Sequence, residues 1–534
     1  MRLPGPSYAV ESVLGAAAVI LCVIVVVPDP PRRKPDAAAV PAEPPRPIPA
    51  PDAVPGGPTG APRSFADAEA RRAALAAEWT RRLDERGELP KVDPGRRAAV
   101  WEAHRKALRA ATLGVFETTP GKDAPWADAA RAVFDVQVRM GAELLLAEQT
   151  SEPMVWEART AVVAAIRAGC DDPFIRYWHY SKVTRAENND PAEFRTEVER
   201  YFDSEYPPIH RLPAVIDWLW AARRLRPSDP LRADAAEWEG RFWQLFEAAA
   251  RTRTLVADEL LIDIARDWQD YRLAGGAARA DVLADLDRHI RRANGRDYLR
   301  RSVRGEGLVN LAWDARGGGF ADTVPAAAFE TFREHLREAR GVLQDAADAD
   351  PDGYSAPTRM LAVCLGLGGD RADMEDAFRR ALHANPDNRA ACDLRLEYLH
   401  PKWHGSRDGA DYLRACWAMA LYPGDGWLQA GMLSNLFANH SIAGPQGQVD
   451  RGAAARHYQA DDVFAMVWTA CRALEAGLPG ERYYTQVLAL VASVTGRHEV
   501  ARDAFSRAGP NFSPGVFLDQ AEFDRFRREA GATP

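Results

Sequence analysis

LVADELLIDIARDWQDY, residues 255–271, decides the fold class. Leu255, Val256, Leu260, Leu261, Ile264, Trp268 and Tyr271 recur at three- and four-residue steps. That spacing lays them along one stripe of an α-helix, whereas a strand would alternate with period two. Ile209, Leu212, Val215, Ile216, Leu219 and Trp220 repeat the pattern upstream. From Ser64 onward the rhythm persists, broken at Asp172-Pro173, Asp190-Pro191, Asp229-Pro230, Asp350-Pro351 and Asn385-Pro386. Such dipeptides suit helix starts, because the proline ring is preset for the first helical position. No sustained period-two run bounded by hairpin turns intervenes. The expected fold class is all-α.

Paired helices with small residues at fixed offsets read as stacked antiparallel hairpins, a tetratricopeptide-like solenoid. Thr358–Pro386 fits that frame through Leu361, Ala362, Leu365, Phe378, Ala381 and Pro386, and Thr485–Ala508 through Leu488, Ala489, Ala492, Ala501, Phe505 and Ala508. Alanine lets two backbones approach and phenylalanine plugs the gap between neighbouring hairpins. Gly369 and Gly496 fall at the turns.

Four stretches, WDARGGGFADTV (313–324), FREHLREARGVLQDAADADPD (332–352), DMEDAFRRALHANPDNRAACDLRLEYLHPKWHGS (373–406) and GRHEVARDAFSRAG (496–509), resemble the bacterial domain-of-unknown-function 4034 family. The family marks are Arg316-Gly317-Gly318-Gly319 before a helical hairpin and the joint Pro401-Lys402-Trp403-His404-Gly405-Ser406. The resemblance covers roughly residues 300–534 and implies a helical-hairpin fold. It carries no catalytic residue, activity or substrate with it.

Ahead of the helical body, residues 12–27 (SVLGAAAVILCVIVVV) hold no charge, and extension back to Tyr8 reaches bilayer length. A retained single-span anchor over residues 8–27 is expected. A cleaved signal peptide is the rival, disfavoured because no small-x-small site follows the run directly. Arg32, Arg33 and Lys34 follow the span while only Arg2 precedes it, which favours a cytoplasmic body. Residues 28–63 contain thirteen prolines and few large apolar side chains, the composition of a semi-stiff spacer rather than a core. The expected organisation is therefore 1–27 tail and anchor, 28–63 proline-rich linker, 64–300 helical-hairpin region and 301–534 tetratricopeptide-like domain.

A net charge of −8 without a long basic run argues against a nucleic-acid partner. The six cysteines form no Cys-x-x-Cys pair, so buried free thiols are expected rather than disulfides or a thiolate metal site.

EYLHPKWHGSRDG (397–409) looks most like chemistry, with His400 and His404 four apart. Two zinc-binding histidines need one continuous helix, and Pro401 pushes His400 out of the helical region. The plainer reading ends one helix near Leu399, seats Trp403 as a plug, and makes Ser406 the cap of a helix beginning near Arg407. His498-Glu499 lacks a second histidine, and Gly317–Gly319 lacks the following Gly-Lys-Ser/Thr of a phosphate loop. No cofactor or metal is expected. The function expected is a membrane-anchored scaffold without catalytic activity that binds a protein or peptide partner. The alternative is a ligand-binding or enzymatic site near Arg316, Asp322, Trp403 and His404. A purely architectural envelope component is a third reading.

Overall fold

The computed structural model describes residues 64–532, apart from residues 92, 148–149, 184–189, 227, 318–322, 425, 440–450, 479, 481, 514–515 and 518. Helices and turns make up the described residues, with no extended strand among them, as the hydrophobic period requires. Among them, no helix is long and apolar enough to cross a membrane. The expected span at 8–27 and the linker at 28–63 lie outside the described residues.

The chain divides into two compact units. A terminal unit takes the described residues up to Lys91, those within Gly317–Thr323 and those from Cys392 onward; a central unit takes Val92–Arg316 and Val324–Ala391.

In the central unit, Pro208–Arg224, Leu255–Ala274, Asp297–Arg316 and Ser355–Leu367 pack one against the next as an inner row. Ala235–Ala250, Arg279–Arg292, Ala326–Ala349 and Arg371–Ala384 alternate with them in sequence and complete helical hairpins. Trp218, Trp238 and Trp268 are fully buried, and Phe242 stacks flat on Trp268 at 3.8 Å. Emptying one such site costs about 3–5 kcal/mol, so these indoles are principal holders of the core.

Local chemistry sets where helices begin. Asp172, Asp190 and Asp229, each before a proline, accept hydrogen bonds from first-turn amides, as expected. Each cap stabilises its helix by about 1 kcal/mol. Asp350-Pro351 and Asn385-Pro386 do the opposite. They end Ala326–Ala349 and Arg371–Ala384, and the next helices begin at Ser355 and Arg389. Asp350 (φ −144°, ψ 97°) and Asn385 (φ −137°, ψ 99°) are extended, the conformation that a following proline imposes.

Helices Pro94–Ala111 and Ala127–Ala147 return to these two turns. Asp387 is buried and accepts from Trp101 Nε1 at 2.6 Å and Arg97 Nε at 2.7 Å. Asn385 Nδ2 donates to the Leu146 carbonyl at 2.6 Å, and Tyr354 Oη to that of Leu145 at 3.0 Å.

In the terminal unit, Ser64 caps Phe65–Glu85 by accepting from Asp67 N at 3.1 Å. That helix packs against Ala410–Ala420 and Asp461–Gly477, with Trp79 stacked on Trp417 at 5.5 Å. The hairpin of Tyr483–Val494 and His498–Ala508 buries Leu488, Ala489, Ala492, Ala501, Phe505 and Ala508, as the repeat frame expects. Gly496 (φ 73°) makes its turn; in the corresponding central hairpin Gly368 (φ 65°), beside Gly369, takes the left-handed position.

Candidate functional site

The residues singled out from the sequence do not form one described constellation. Arg316 belongs to the central unit, Trp403 and His404 to the terminal one, and Asp322 lies outside the described residues. Arg316 ends Asp297–Arg316 with its guanidinium over the rings of Trp313 (5.6 Å) and Phe329 (5.9 Å).

The 397–409 segment is a corner. The helix Arg389–Leu399 stops before His400, and the chain folds back through Trp403 N to His400 O (2.9 Å) and His404 N to Tyr398 O (3.1 Å). A Cβ on Gly405 would stand 1.7 Å from the Leu399 carbonyl oxygen, so only glycine fits there. Trp403 is half-buried and donates from Nε1 to Glu397 Oε1 at 2.5 Å. The His400 ring meets Tyr412 edge-on at 5.2 Å, while His404 lies on Tyr398 at 4.7 Å, so the two imidazoles engage different tyrosines. Burial lowers the His400 pKa. The next helix is Ala410–Ala420, beginning three residues later than expected because Gly409 (φ 73°) occupies its cap position. Ser406 still serves that helix: its hydroxyl accepts from Asp411 N, and its amide donates to Asp411 Oδ2, both at 3.0 Å.

A different set of side chains stands out in the central unit. Leu255–Ala274 buries Leu261, Ile264, Ala265 and Trp268, and its least buried stripe runs Val256, Leu260, Asp263, Asp267, Asp270. On the adjacent inner helix Asp217 and Trp220 occupy the equivalent partly exposed stripe. The neighbouring cation is already engaged: Arg266 holds Asp263 at 3.0 Å and Glu306 at 2.7 Å, and Arg359 holds Glu306 at 2.5 Å. Against the burial that would raise it, these two guanidinia bring Glu306 down to about 2. Asp217 accepts from Tyr177 Oη at 2.7 Å.

Asp267 and Asp270 have no hydrogen bond or ion pair among the described residues. Solvent reaches the Asp267 side chain, yet protein crowds its remaining sides, which marks a recessed position. That desolvation, then Asp263, and beyond the opposing Arg266 also Asp270 and Asp217, push its carboxyl up to about 7. Burial likewise raises Asp270, with Arg279 and Arg266 opposing. The stripe is a place where negative charge is concentrated and incompletely neutralised, which favours a bound cation.

The sequence carried a trace of this. Asp263, Asp267 and Asp270 follow each other at helical spacing, where like charges repel. In a chain with 76 acidic residues, that pattern alone does not separate a solvated face from a site. Among the described residues, no group of three or more His, Cys, Asp or Glu is placed to hold a metal ion. All five described cysteines are buried free thiols; burial pushes Cys364 up to about 11 and Cys416 up to about 12.

No protein-family model matches the chain, and no curated protein matches it.

Proposed function

We propose that the protein is a helical-repeat scaffold with tetratricopeptide-like packing that holds a protein partner by a lysine- or arginine-bearing segment, without converting a substrate. The observation that carries this reading is the pair Asp267 and Asp270, exposed and half-buried carboxylates with no ion pair of their own among the described residues. Asp217 and Asp263 add charge beside them. Residues 8–27 would anchor the scaffold in a membrane with its body on the cytoplasmic side, and the proline-rich linker would set its reach. Membership of the family resembled above is part of the same proposal.

The test is fluorescence anisotropy of a labelled decapeptide rich in lysine, with a glutamate-rich peptide as control. Salt-sensitive binding of the basic peptide alone, lost in the Asp267→Asn/Asp270→Asn double variant, is the expected result. Equal binding to that variant, or equal binding of the acidic peptide, would sink the reading.

A further inference from the structure

Asp258 and Glu259, in the first turn of Leu255–Ala274, are 0% and 1% exposed. Glu259 is ringed by donors: Tyr298 Oη at 2.6 Å, the Tyr354 amide at 2.8 Å, the Ser355 amide at 3.5 Å and the Ser355 hydroxyl. It thereby caps Ser355–Leu367 from a distant helix, since Tyr354 at the cap position supplies no side-chain bond of its own. An ionised carboxylate satisfies all of those donors at once.

Asp258 is situated differently. Its ion-pair partner is Arg296 at 3.0 Å, and no other donor reaches its carboxylate among the described residues. Arg296 also pairs with Asp350. The charged and titratable groups at this joint are Arg296 from the connection before Asp297–Arg316, Asp350 at the end of Ala326–Ala349, Arg253 from the turn before Asp258's own helix, Glu259 beside it, and Tyr298. One guanidinium is thus divided between two carboxylates, one of them fully buried. An uncompensated buried charge is far costlier than a protonated acid, so a proton is the economical solution.

We propose that Asp258 carries a proton near neutral pH, which makes the Asp258–Arg296–Asp350 joint a proton-sensitive clasp between the hairpins of the central unit. With the proton on, Arg296 and Asp350 form a balanced pair. With the proton off, the joint holds one buried anion too many, and the hairpin ends separate more readily. Burial, opposed by Arg296 and reinforced by Asp350, pushes Asp258 up to about 7. Burial also pushes Glu259 up to about 7, but against Ser355, Tyr298 and Tyr354 as donors, whereas Asp258 has a shared cation. The folded value lies above the ordinary aspartate value of 3.8, so Asp258's contribution to stability is complete below about pH 4 and is lost as pH rises through about 7.

The experiment is amide hydrogen exchange of the full-length chain at pH 6 and pH 8, read on peptides spanning 255–262 and 350–358. Comparing each variant with wild type at the same pH cancels intrinsic exchange rates and every other titrating group. Wild-type protection, relative to Asp258→Asn, is expected to fall about tenfold between pH 6 and pH 8, the linkage for a single group with a folded value near 7. Asp350→Asn, which leaves Arg296 to Asp258 alone, is expected to flatten the same fall. Glu259→Gln is expected to lower protection at both pH values while keeping the fall. The same change in protection between pH 6 and pH 8 in wild type and Asp258→Asn, or abolition of the wild-type fall by Glu259→Gln alone, would overturn the proposal.

Discussion

The two halves of Leu255–Ala274 use the same chemistry in opposite ways. In its first turn, Asp258 and Glu259 are buried among Arg296, Asp350, Tyr298 and Ser355, and they bind one hairpin to the next. Two turns on, Asp267 and Asp270 lie on the least buried stripe with no ion pair among the described residues. Glu306 sits at the boundary, buried between Arg266 and Arg359. A carboxylate absorbed by the fold is expensive to remove, because its partners stay behind in low dielectric. A carboxylate left over by the fold can be removed freely, and that freedom separates a candidate contact from a structural one.

Four outcomes would break or sharpen this comparison. Glu306→Ala takes the carboxylate from Arg359 and leaves Arg266 with Asp263, and it is expected to destabilise the chain by about 3–5 kcal/mol, read from urea unfolding followed by tryptophan fluorescence. A loss below 1 kcal/mol would place Glu306 with Asp267 rather than with Asp258. At the 397–409 corner, Gly405→Ala drives a methyl into the Leu399 carbonyl and is expected to cost about 3 kcal/mol, against about 1 kcal/mol for Trp403→Phe, which keeps an aromatic plug and loses the indole bond to Glu397. Near-equal losses would mean the corner depends on the plug rather than on the turn.

Two buried histidines lose their contribution to stability in acid, in the central unit against the opposite trend of Asp258. Burial lowers His210 in the central unit and His457 in the terminal unit to about 4. At these two sites the unfolded chain binds more protons between about 4 and 6.5, so the histidines' contribution to stability is complete above 6.5 and declines as pH falls through that window. Urea midpoints of wild type and His210→Asn/His457→Asn at pH 7 and pH 5 test this: the variant's midpoint should gain on that of wild type as pH falls. The smallest effect belongs to Asp267→Asn/Asp270→Asn, expected within about 0.5 kcal/mol of wild type or slightly above it, since like-charge repulsion is relieved. A clear loss of stability would show that the stripe serves the fold after all.

The 255–271 stripe was legible because helix periodicity needs only neighbouring residues, and Trp268, Leu261 and Ile264 are buried as that pattern requires. Val256 and Leu260 from the same pattern are half-exposed, because sequence shows a stripe but not its width. Asp172, Asp190 and Asp229 behave as helix starts, while Asp350 and Asn385 stop helices. The dipeptides are alike; what differs is whether a helical run precedes them closely, as Ala326–Ala349 and Arg371–Ala384 do. The corner at 397–409 was readable from Pro401, but the cap position of Gly409 was not. Asp263, Asp267 and Asp270 were visible as residues, yet their meaning depends on Asp217 from another helix.

By itself the sequence determined the all-helical class, the helix starts at Asp172, Asp190 and Asp229, the burial of the described cysteines and the hairpin frames around Leu361 and Leu488. All of these follow from chemistry within a few residues of each position. Only the tertiary structure decided that Pro94–Ala111 returns to Asp387, that Phe65–Glu85 shares a unit with Ala410–Ala420, and that Glu259 caps Ser355–Leu367. Such pairings join residues tens to hundreds of positions apart, and whether a carboxylate is neutralised, protonated or left to face a partner depends on which distant side chains the fold brings to it.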